Sequence, residues 1–170
     1  MHKLRHAPGD PEEGLRAALE GVAGPGPVYV LGLGYVDKAD DGAGVLVAET
    51  LKKTFPRFSY SEHDGVEGTV LDISERDGPA TVFFVDATEL HEAPGTVAVV
   101  PRDMINDREI TTHRVAVALM AAILERSGKT SAVICIQPGT LEFRAEISGQ
   151  VSSTIETISR ALRDLMLKRN

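Results

Sequence analysis

Apolar side chains follow two patterns along the chain, short continuous runs and repeats at helical spacing. Short apolar, β-rich runs are typical of buried strands, and they predict strands at residues 28–33, 58–61, 80–87, 96–100 and 131–137. Apolar residues three and four apart are typical of helices that pack by one face, and they predict helices at residues 42–53, 66–73, 113–126 and 151–165. Residues 141–147 alternate between apolar and polar side chains, which predicts an edge strand.

Strands and helices therefore alternate over most of the chain. This order is typical of α/β folds, in which helices cover both faces of a mostly parallel sheet. We predict a three-layer α/β/α sandwich with a mostly parallel sheet and one antiparallel edge strand.

The segment before the first strand has a different character. Asp10 and Pro11 form a good helix start, an apolar helical face follows, and the Gly-Pro repeat at residues 24–27 ends the helix. We predict an N-terminal helical arm and linker at 1–27 and a single α/β domain at 28–170. The arm could pack on the domain, dock a partner or stay largely unfolded, and packing is the interpretation we favour.

Composition narrows the function classes. The 170 residues include 25 acidic and 18 basic side chains, a net charge of −7, which disfavours nucleic acids and anionic membranes as partners. One cysteine excludes an intrachain disulfide framework and a multi-cysteine metal site, and it favours a reducing, cytoplasmic location. No apolar run reaches the ~20 residues of a transmembrane helix, and the basic start is not followed by the apolar stretch of a secretory signal.

Reactive side chains follow the predicted strands at the edge where ligands bind in open α/β sheets. Asp40 and Asp41 end the loop after the first strand, Asp86 ends the third, and His113 begins a helix. A parallel sheet would bring these loops to one edge. Two carboxylates and an imidazole would form an incomplete coordination shell that suits nickel or zinc.

Each of these residues also has an ordinary structural interpretation. Asp41 could cap the following helix, Asp86 could bond a turn, and His113 could be a surface residue. Only their coincidence at one sheet edge favours a site.

Other chemistries have weaker support. Gly32 and Gly34 follow a strand as in a dinucleotide-binding loop, but Asp37 stands where the third glycine belongs, and acidic groups there would repel a pyrophosphate. Cys135 lies within a predicted buried strand and is expected to be an inert core residue. The chain has neither a Walker A motif nor the Gly-x-Ser-x-Gly elbow of many hydrolases.

Several segments, taken in order, resemble the maturation endopeptidases of nickel–iron hydrogenases. The resemblance extends from about residue 28 to 166 and is carried by Val30–Gly34, Asp41–Gly44, Val85–Thr88 with Pro94–Gly95, Thr111–His113 and Ile136–Pro138. It implies an α/β/α fold around a twisted sheet. It also implies an endopeptidase that removes the C-terminal peptide of the hydrogenase large-subunit precursor once nickel is inserted.

By the same resemblance, Asp41, Asp86 and His113 would contact a nickel ion held mainly by the precursor, and these three residues would be the catalytic and metal-contacting groups. Asp64 would support the site, and Asp40 is a further supporting candidate. No organic cofactor, nucleic acid or membrane insertion is implied. The particular hydrogenase, the cleaved bond and the oligomeric state stay open.

One position departs from the family pattern. The family usually has Gly-Asn where this chain has Gly34-Tyr35, so Tyr35 is a further candidate site residue. The replacement of the family's amide by a phenol leaves open an alternative function, a non-cleaving nickel checkpoint or chaperone on the same fold. An unrelated small-molecule α/β enzyme that uses the same carboxylates is the third hypothesis.

Overall fold

A computed structural model of the protein describes residues 10–104 and 112–170, with the side chains of residues 112–114 excepted. Its helices are α1 (Pro11–Val22), α2 (Ala43–Lys52), α3 (Val66–Glu75), α4 (Thr112–Arg126) and α5 (Gly149–Arg169). Its strands are β1 (Val28–Gly32), β2 (Ser59–Ser61), β3 (Thr81–Ala87), β4 (Val97–Pro101) and β5 (Thr130–Ile136). Within this part of the chain, no helix has the length and apolar character needed to cross a membrane.

The five strands form one sheet in the order β2-β1-β3-β5-β4. β1, β2, β3 and β5 are parallel, and β4 runs antiparallel to β5 at the edge. The central strands are buried along almost their whole length, as their continuous apolar runs predict. The predicted α/β fold with one antiparallel edge strand is confirmed.

The strand predicted at residues 141–147 is wrong, because this segment is a loop and β4 supplies the antiparallel edge. Arg144 adopts a left-handed conformation with a φ of 62°, which breaks an extended chain. Its N–H donates to the carbonyl of Asp37 at 2.7 Å, so the loop is tied to the one after β1 instead of to a strand. The alternation therefore reflects a loop that exposes Leu141 and Phe143 to solvent.

The helices cover the two faces of the sheet and create two apolar cores. Phe83 belongs to the core under α1, α2 and α5, and its neighbour Phe84 belongs to the core under α3 and α4. Successive residues of a strand point to opposite faces, so each buried strand contributes to both cores. The molecule is thus a three-layer sandwich.

The N-terminal helix α1 packs on this body. Asp10 accepts a hydrogen bond from the Glu12 N–H at 3.0 Å, and Leu15 and Leu19 are buried in the same core as α5. Arg16 forms an ion pair with Glu12 within α1 and a second one with Asp164, which links α1 to α5. The division into an arm at 1–27 and a domain at 28–170 stays a prediction.

Two glycines allow the start of α2 to lie directly on the sheet. A Cβ at Gly32 would be 2.1 Å from the carbonyl oxygen of Gly44, and a Cβ at Gly44 would be 2.1 Å from that of Val85. The ends of β1 and β3 and the first turn of α2 therefore touch through their backbones, and no larger residue fits between them.

This packing predicts that Gly44→Ala destabilises the fold. The added methyl group would overlap backbone atoms, which cannot move away as a flexible side chain can, so the free energy of unfolding should fall by at least about 2 kcal/mol. Gly68→Ala in α3 is the matched control, since nothing lies within 4 Å of its added Cβ. Urea denaturation of both variants measures the difference, and equal stabilities would contradict the close approach.

Candidate active site

The carboxyl ends of β1 and β3 lie side by side. Gly32 is in register with Val85, and the Leu33 N–H continues the ladder by donating to the carbonyl of Val85 at 2.9 Å. The loop that leaves β1 therefore starts beside Asp86. It returns to the same place through Gly44, which touches the Val85 carbonyl. The structure thus brings the turn that contains Asp40 and Asp41 to the same sheet edge as Asp86.

Asp41 lies half-buried in a short 3-10 turn, Ala39–Gly42. Its Oδ2 accepts a hydrogen bond from the Tyr35 N–H at 2.9 Å, whereas the N-cap of α2 is Gly42. The interpretation of Asp41 as a helix cap is therefore wrong. Its Oδ1 accepts no hydrogen bond from the described residues.

Gly34 makes the loop around Asp41 possible. Its φ is 114°, a region that side chains disfavour, and a Cβ there would lie 1.8 Å from the carbonyl oxygen of Asp41. The Gly34 conformation turns the chain so that the Tyr35 N–H meets the Asp41 carboxylate. The glycine of the sequence motif is thus required by the geometry of the carboxylate.

Asp86 is the second-last residue of β3 and is paired with Cys135 of β5. It is buried, with 7% of its surface exposed, and the Thr88 hydroxyl lies 3.5 Å from its Oδ2, at the limit of a hydrogen bond. Cys135 is itself buried, in agreement with its predicted core role. A carboxylate in this position is held by a rigid central strand.

The loop after Asp86 is organised by Gln137, whose role the sequence analysis missed. The buried Gln137 accepts at Oε1 from the Leu90 N–H at 2.7 Å and donates from Nε2 to Glu89 at 3.2 Å and to the Pro138 carbonyl at 3.0 Å. The only sequence signal was that Gln137 lies in a segment that resembles the hydrogenase endopeptidases.

Asp40 joins the loop after β1 to the loop after β5. Its side chain is fully buried and accepts four hydrogen bonds, from the N–H groups of Gly139 at 2.7 Å, Thr140 at 3.0 Å and Ser148 at 2.7 Å and from the Ser148 hydroxyl at 2.8 Å. Burial raises the pKa of Asp40, but these hydrogen bonds outweigh it and hold the pKa below its usual range. The ionised carboxylate fixes the turn that carries Asp41.

Asp64 ends the short 3-10 turn Glu62–Asp64 that follows β2, and β1 separates β2 from the strand of Asp86. Its Oδ1 accepts from Lys52 Nζ at 2.6 Å and its Oδ2 from the Ser61 N–H at 2.9 Å. Burial opposes ionisation, but these partners lower the pKa of Asp64. Its contacts tie β2 to α2, and none of them reaches Asp41 or Asp86, so a role at the site stays a prediction.

His113 lies in the first turn of α4, and its side chain is outside the described residues. The preceding strand, β4, is antiparallel, so His113 does not follow the carboxyl end of a parallel strand. Its position follows instead from the direction of α4. This helix ends just before β5 begins, at the amino end of the parallel strands, and its 15 residues extend about 22 Å, the length of β5.

The topology therefore places the backbone of His113 near the carboxyl ends of the parallel strands. That His113 belongs to the site stays a prediction. Among the side chains that the structure describes, no three His, Cys, Asp or Glu groups are arranged to hold a metal ion.

The family model described as HycI, hydrogenase maturation protease, matches residues 46–164, more than two-thirds of the chain. The chain belongs to the hydrogenase maturation protease family. As a member, it is a hydrolase. No curated protein sequence matches the chain significantly.

Solved structures of hydrogenase maturation proteases share its fold. The [NiFe] hydrogenase maturation protease HycI from Thermococcus kodakarensis is similar with a TM-score of 0.72 and 25% identity over 88% of this chain and 98% of that one. Endopeptidase HycI from Escherichia coli has a TM-score of 0.64 and 21% identity over 81% and 90% of the two chains. The Escherichia coli hydrogenase maturating endopeptidase HybD has a TM-score of 0.61 and 22% identity over 84% and 91%.

The Asp40 contacts predict a pH-dependent loss of stability in Asp40→Asn. At neutral pH the variant should unfold about 3 kcal/mol more easily, because an amide cannot replace a carboxylate that accepts four hydrogen bonds. The folded-state pKa is lowered, so the contribution of Asp40 is present above the unfolded pKa of about 4 and is lost as the pH falls through the folded value.

Urea denaturation of wild type and variant from pH 7 downward measures this difference, which should shrink in acid. Asp72→Asn, an exposed position on α3, is the control and should change stability by less than about 0.5 kcal/mol. A gap between wild type and Asp40→Asn that stays constant across the titration would contradict the role of the charge.

Proposed function

We propose that this hydrogenase maturation protease removes the C-terminal peptide of a nickel–iron hydrogenase large-subunit precursor after nickel insertion. The carboxylates of Asp41 and Asp86 and the imidazole of His113 recognise the nickel, which the precursor holds. Family membership supports the endopeptidase activity. A structural relative, HycI from Thermococcus kodakarensis, is named as a [NiFe] hydrogenase maturation protease, which supports the substrate class.

The observation that carries the proposal is that Asp41 and Asp86 belong to neighbouring segments at one end of the sheet. They come from loop and strand segments whose backbones touch, and the Asp41 Oδ1 accepts no hydrogen bond from the described residues. Carboxylate oxygens with an imidazole form a mixed donor set that nickel accepts. The chain's single cysteine is buried in β5, so thiolate ligands for the nickel come from the substrate. We place the reaction in the cytoplasm, where such thiols stay reduced.

Hydrolysis of a peptide bond needs an activated water and a polarised carbonyl group. The substrate's nickel could supply both as a Lewis acid, with the protease residues completing its coordination. Alternatively, a carboxylate of the site acts as general base while the nickel only positions the chain. In both cases the carboxylates of Asp41 and Asp86 must be held in place, and the hydrogen bond from the Tyr35 N–H to Asp41 serves this purpose.

The contact at Tyr35 weighs against the non-cleaving alternative. Tyr35 holds Asp41 through its backbone N–H, and its side chain is largely exposed. The contact to Asp41 therefore does not depend on whether the side chain at position 35 is the family's asparagine or a tyrosine. The departure at Tyr35 is better explained by a contact with the substrate.

Replacement of the proposed nickel-recognition groups should abolish processing without unfolding the protein. With nickel-loaded precursor, Asp41→Asn, Asp86→Asn and His113→Ala should each reduce the cleavage rate at least about 100-fold. Asp72→Asn on the surface of α3 is the matched control and should cleave as wild type does. The mass loss of the precursor, followed by mass spectrometry, measures the rate.

The same assay with nickel-free precursor tests the timing, and we expect no cleavage. Equal cleavage of both precursors would rule out nickel gating. Stable binding of the loaded precursor with no loss of mass would favour the non-cleaving checkpoint instead.

A further inference from the structure

Beside the candidate active site, exposed apolar side chains form a surface that we name the apolar rim. It consists of Tyr35, Val36, Leu141 and Phe143, which are 57%, 43%, 54% and 62% exposed. They are four of the nine large hydrophobic residues that are exposed in the described part of the chain, and the other five are distributed over helices α2 to α5. Isolated exposed apolar residues are ordinary, but a group on two joined loops indicates an interaction surface.

The two loops of the apolar rim are held against each other by their backbones. The Arg144 N–H donates to the Asp37 carbonyl at 2.7 Å, and the Asp40 N–H donates to the Thr140 carbonyl at 3.2 Å. The buried Asp40 carboxylate adds its bonds to Gly139, Thr140 and Ser148. The rim is therefore fixed before any partner arrives, which lowers the entropic cost of binding.

The apolar rim is continuous with the proposed catalytic carboxylate. Tyr35 belongs to the rim and also donates its N–H to Asp41. The apolar rim therefore adjoins the turn that holds Asp41.

Two cations accompany the aromatic rings of the rim. Lys38 Nζ lies 5.6 Å from the centre of the Tyr35 ring, and Arg144 Cζ lies 5.3 Å from that of Phe143. Neither forms an ion pair with any residue in the described ranges, although the whole chain carries a net charge of −7. A partner with apolar side chains and a carboxylate would match both features.

We infer that the apolar rim docks the C-terminal segment of the hydrogenase precursor, an extended peptide whose apolar side chains contact Tyr35 and Phe143 and whose terminal carboxylate pairs with Lys38 and Arg144. A C-terminal segment always carries this carboxylate, which an internal segment lacks. The acidic groups Asp41 and Asp86 would repel it, so the carboxylate is held at the rim while the scissile bond lies at the site. This inference rests on the proposed function.

The test measures binding of a fluorescein-labelled synthetic peptide with the sequence of the precursor's C-terminal segment. By fluorescence anisotropy, Leu141→Ser/Phe143→Ser in the full-length protein should weaken binding about tenfold or more. Leu167→Ser, an equally exposed position near the end of α5, is the matched control and should bind as wild type does. Amidation of the peptide's terminus should weaken binding to wild type but not to Lys38→Gln/Arg144→Gln.

Steady-state cleavage of the nickel-loaded precursor gives an independent readout. The rim variant should raise KM and leave kcat close to wild type, since it does not alter Asp41 or Asp86. An unchanged KM and an unchanged peptide affinity would overturn the docking inference and leave the proposed function standing. If the peptide binds through the rim but the protein cleaves no precursor, the proposed function would be overturned and the docking inference would stand.

A second copy of the chain is the competing occupant of the apolar rim. Sedimentation of the wild-type protein tests it. A dimer that dissociates in Leu141→Ser/Phe143→Ser but not in Leu167→Ser would assign the rim to self-association and overturn the inference.

Discussion

The buried carboxylate of Asp40 is the interaction on which the geometry of the candidate site depends. It has no cationic partner among the described residues, and its charge is stabilised by three backbone N–H groups and one hydroxyl. All these donors belong to the loop between β5 and α5, whereas Asp40 belongs to the loop between β1 and α2. One side chain therefore fixes two loops that are about a hundred residues apart in sequence.

The consequences extend in both directions from this carboxylate. On one side it immobilises the turn in which Asp41 accepts its backbone hydrogen bond from Tyr35. On the other it holds the loop that exposes Leu141 and Phe143. Gly32 and Gly44 complete the arrangement, because they allow the first turn of α2, which follows the Asp41 turn, to rest on the ends of β1 and β3 beside Asp86. The proposed function requires such a fixed edge, because residues that recognise a metal held by the substrate must meet ligands that the protease does not position.

The sequence was sufficient for the parts of the fold that depend on burial. The runs that form β1, β3 and β5 are apolar at nearly every position because both faces of the sheet are covered, and short apolar runs of this kind are typical of central parallel strands. The position of Asp41 and Asp86 on neighbouring segments followed from this topology, because β1 and β3 are parallel, Asp41 follows β1 and Asp86 lies near the carboxyl end of β3. The alternation at residues 141–147 misled because apolar side chains exposed on a loop can have the same pattern as those that face a core.

Other features depend on contacts that are distant in sequence and leave no local pattern. The orientation of β4 depends on which strand it pairs with, and no residue within it specifies β5. Gln137 serves the Asp86 loop through hydrogen bonds to residues more than forty positions away. In the sequence, nothing distinguishes Asp40 from Asp41 beside it. Only the burial of Asp40 and its hydrogen-bond donors show that it positions the site.

The most direct test of the central claim compares affinities for the precursor with and without nickel. If Asp41 and Asp86 recognise the metal, wild-type protein should bind nickel-loaded precursor at least about tenfold more tightly, a difference of roughly 1.4 kcal/mol. In Asp41→Asn/Asp86→Asn this preference should disappear, while affinity for nickel-free precursor stays as in wild type. A preference of the same size in both proteins would show that these carboxylates do not contact the nickel and would contradict the account.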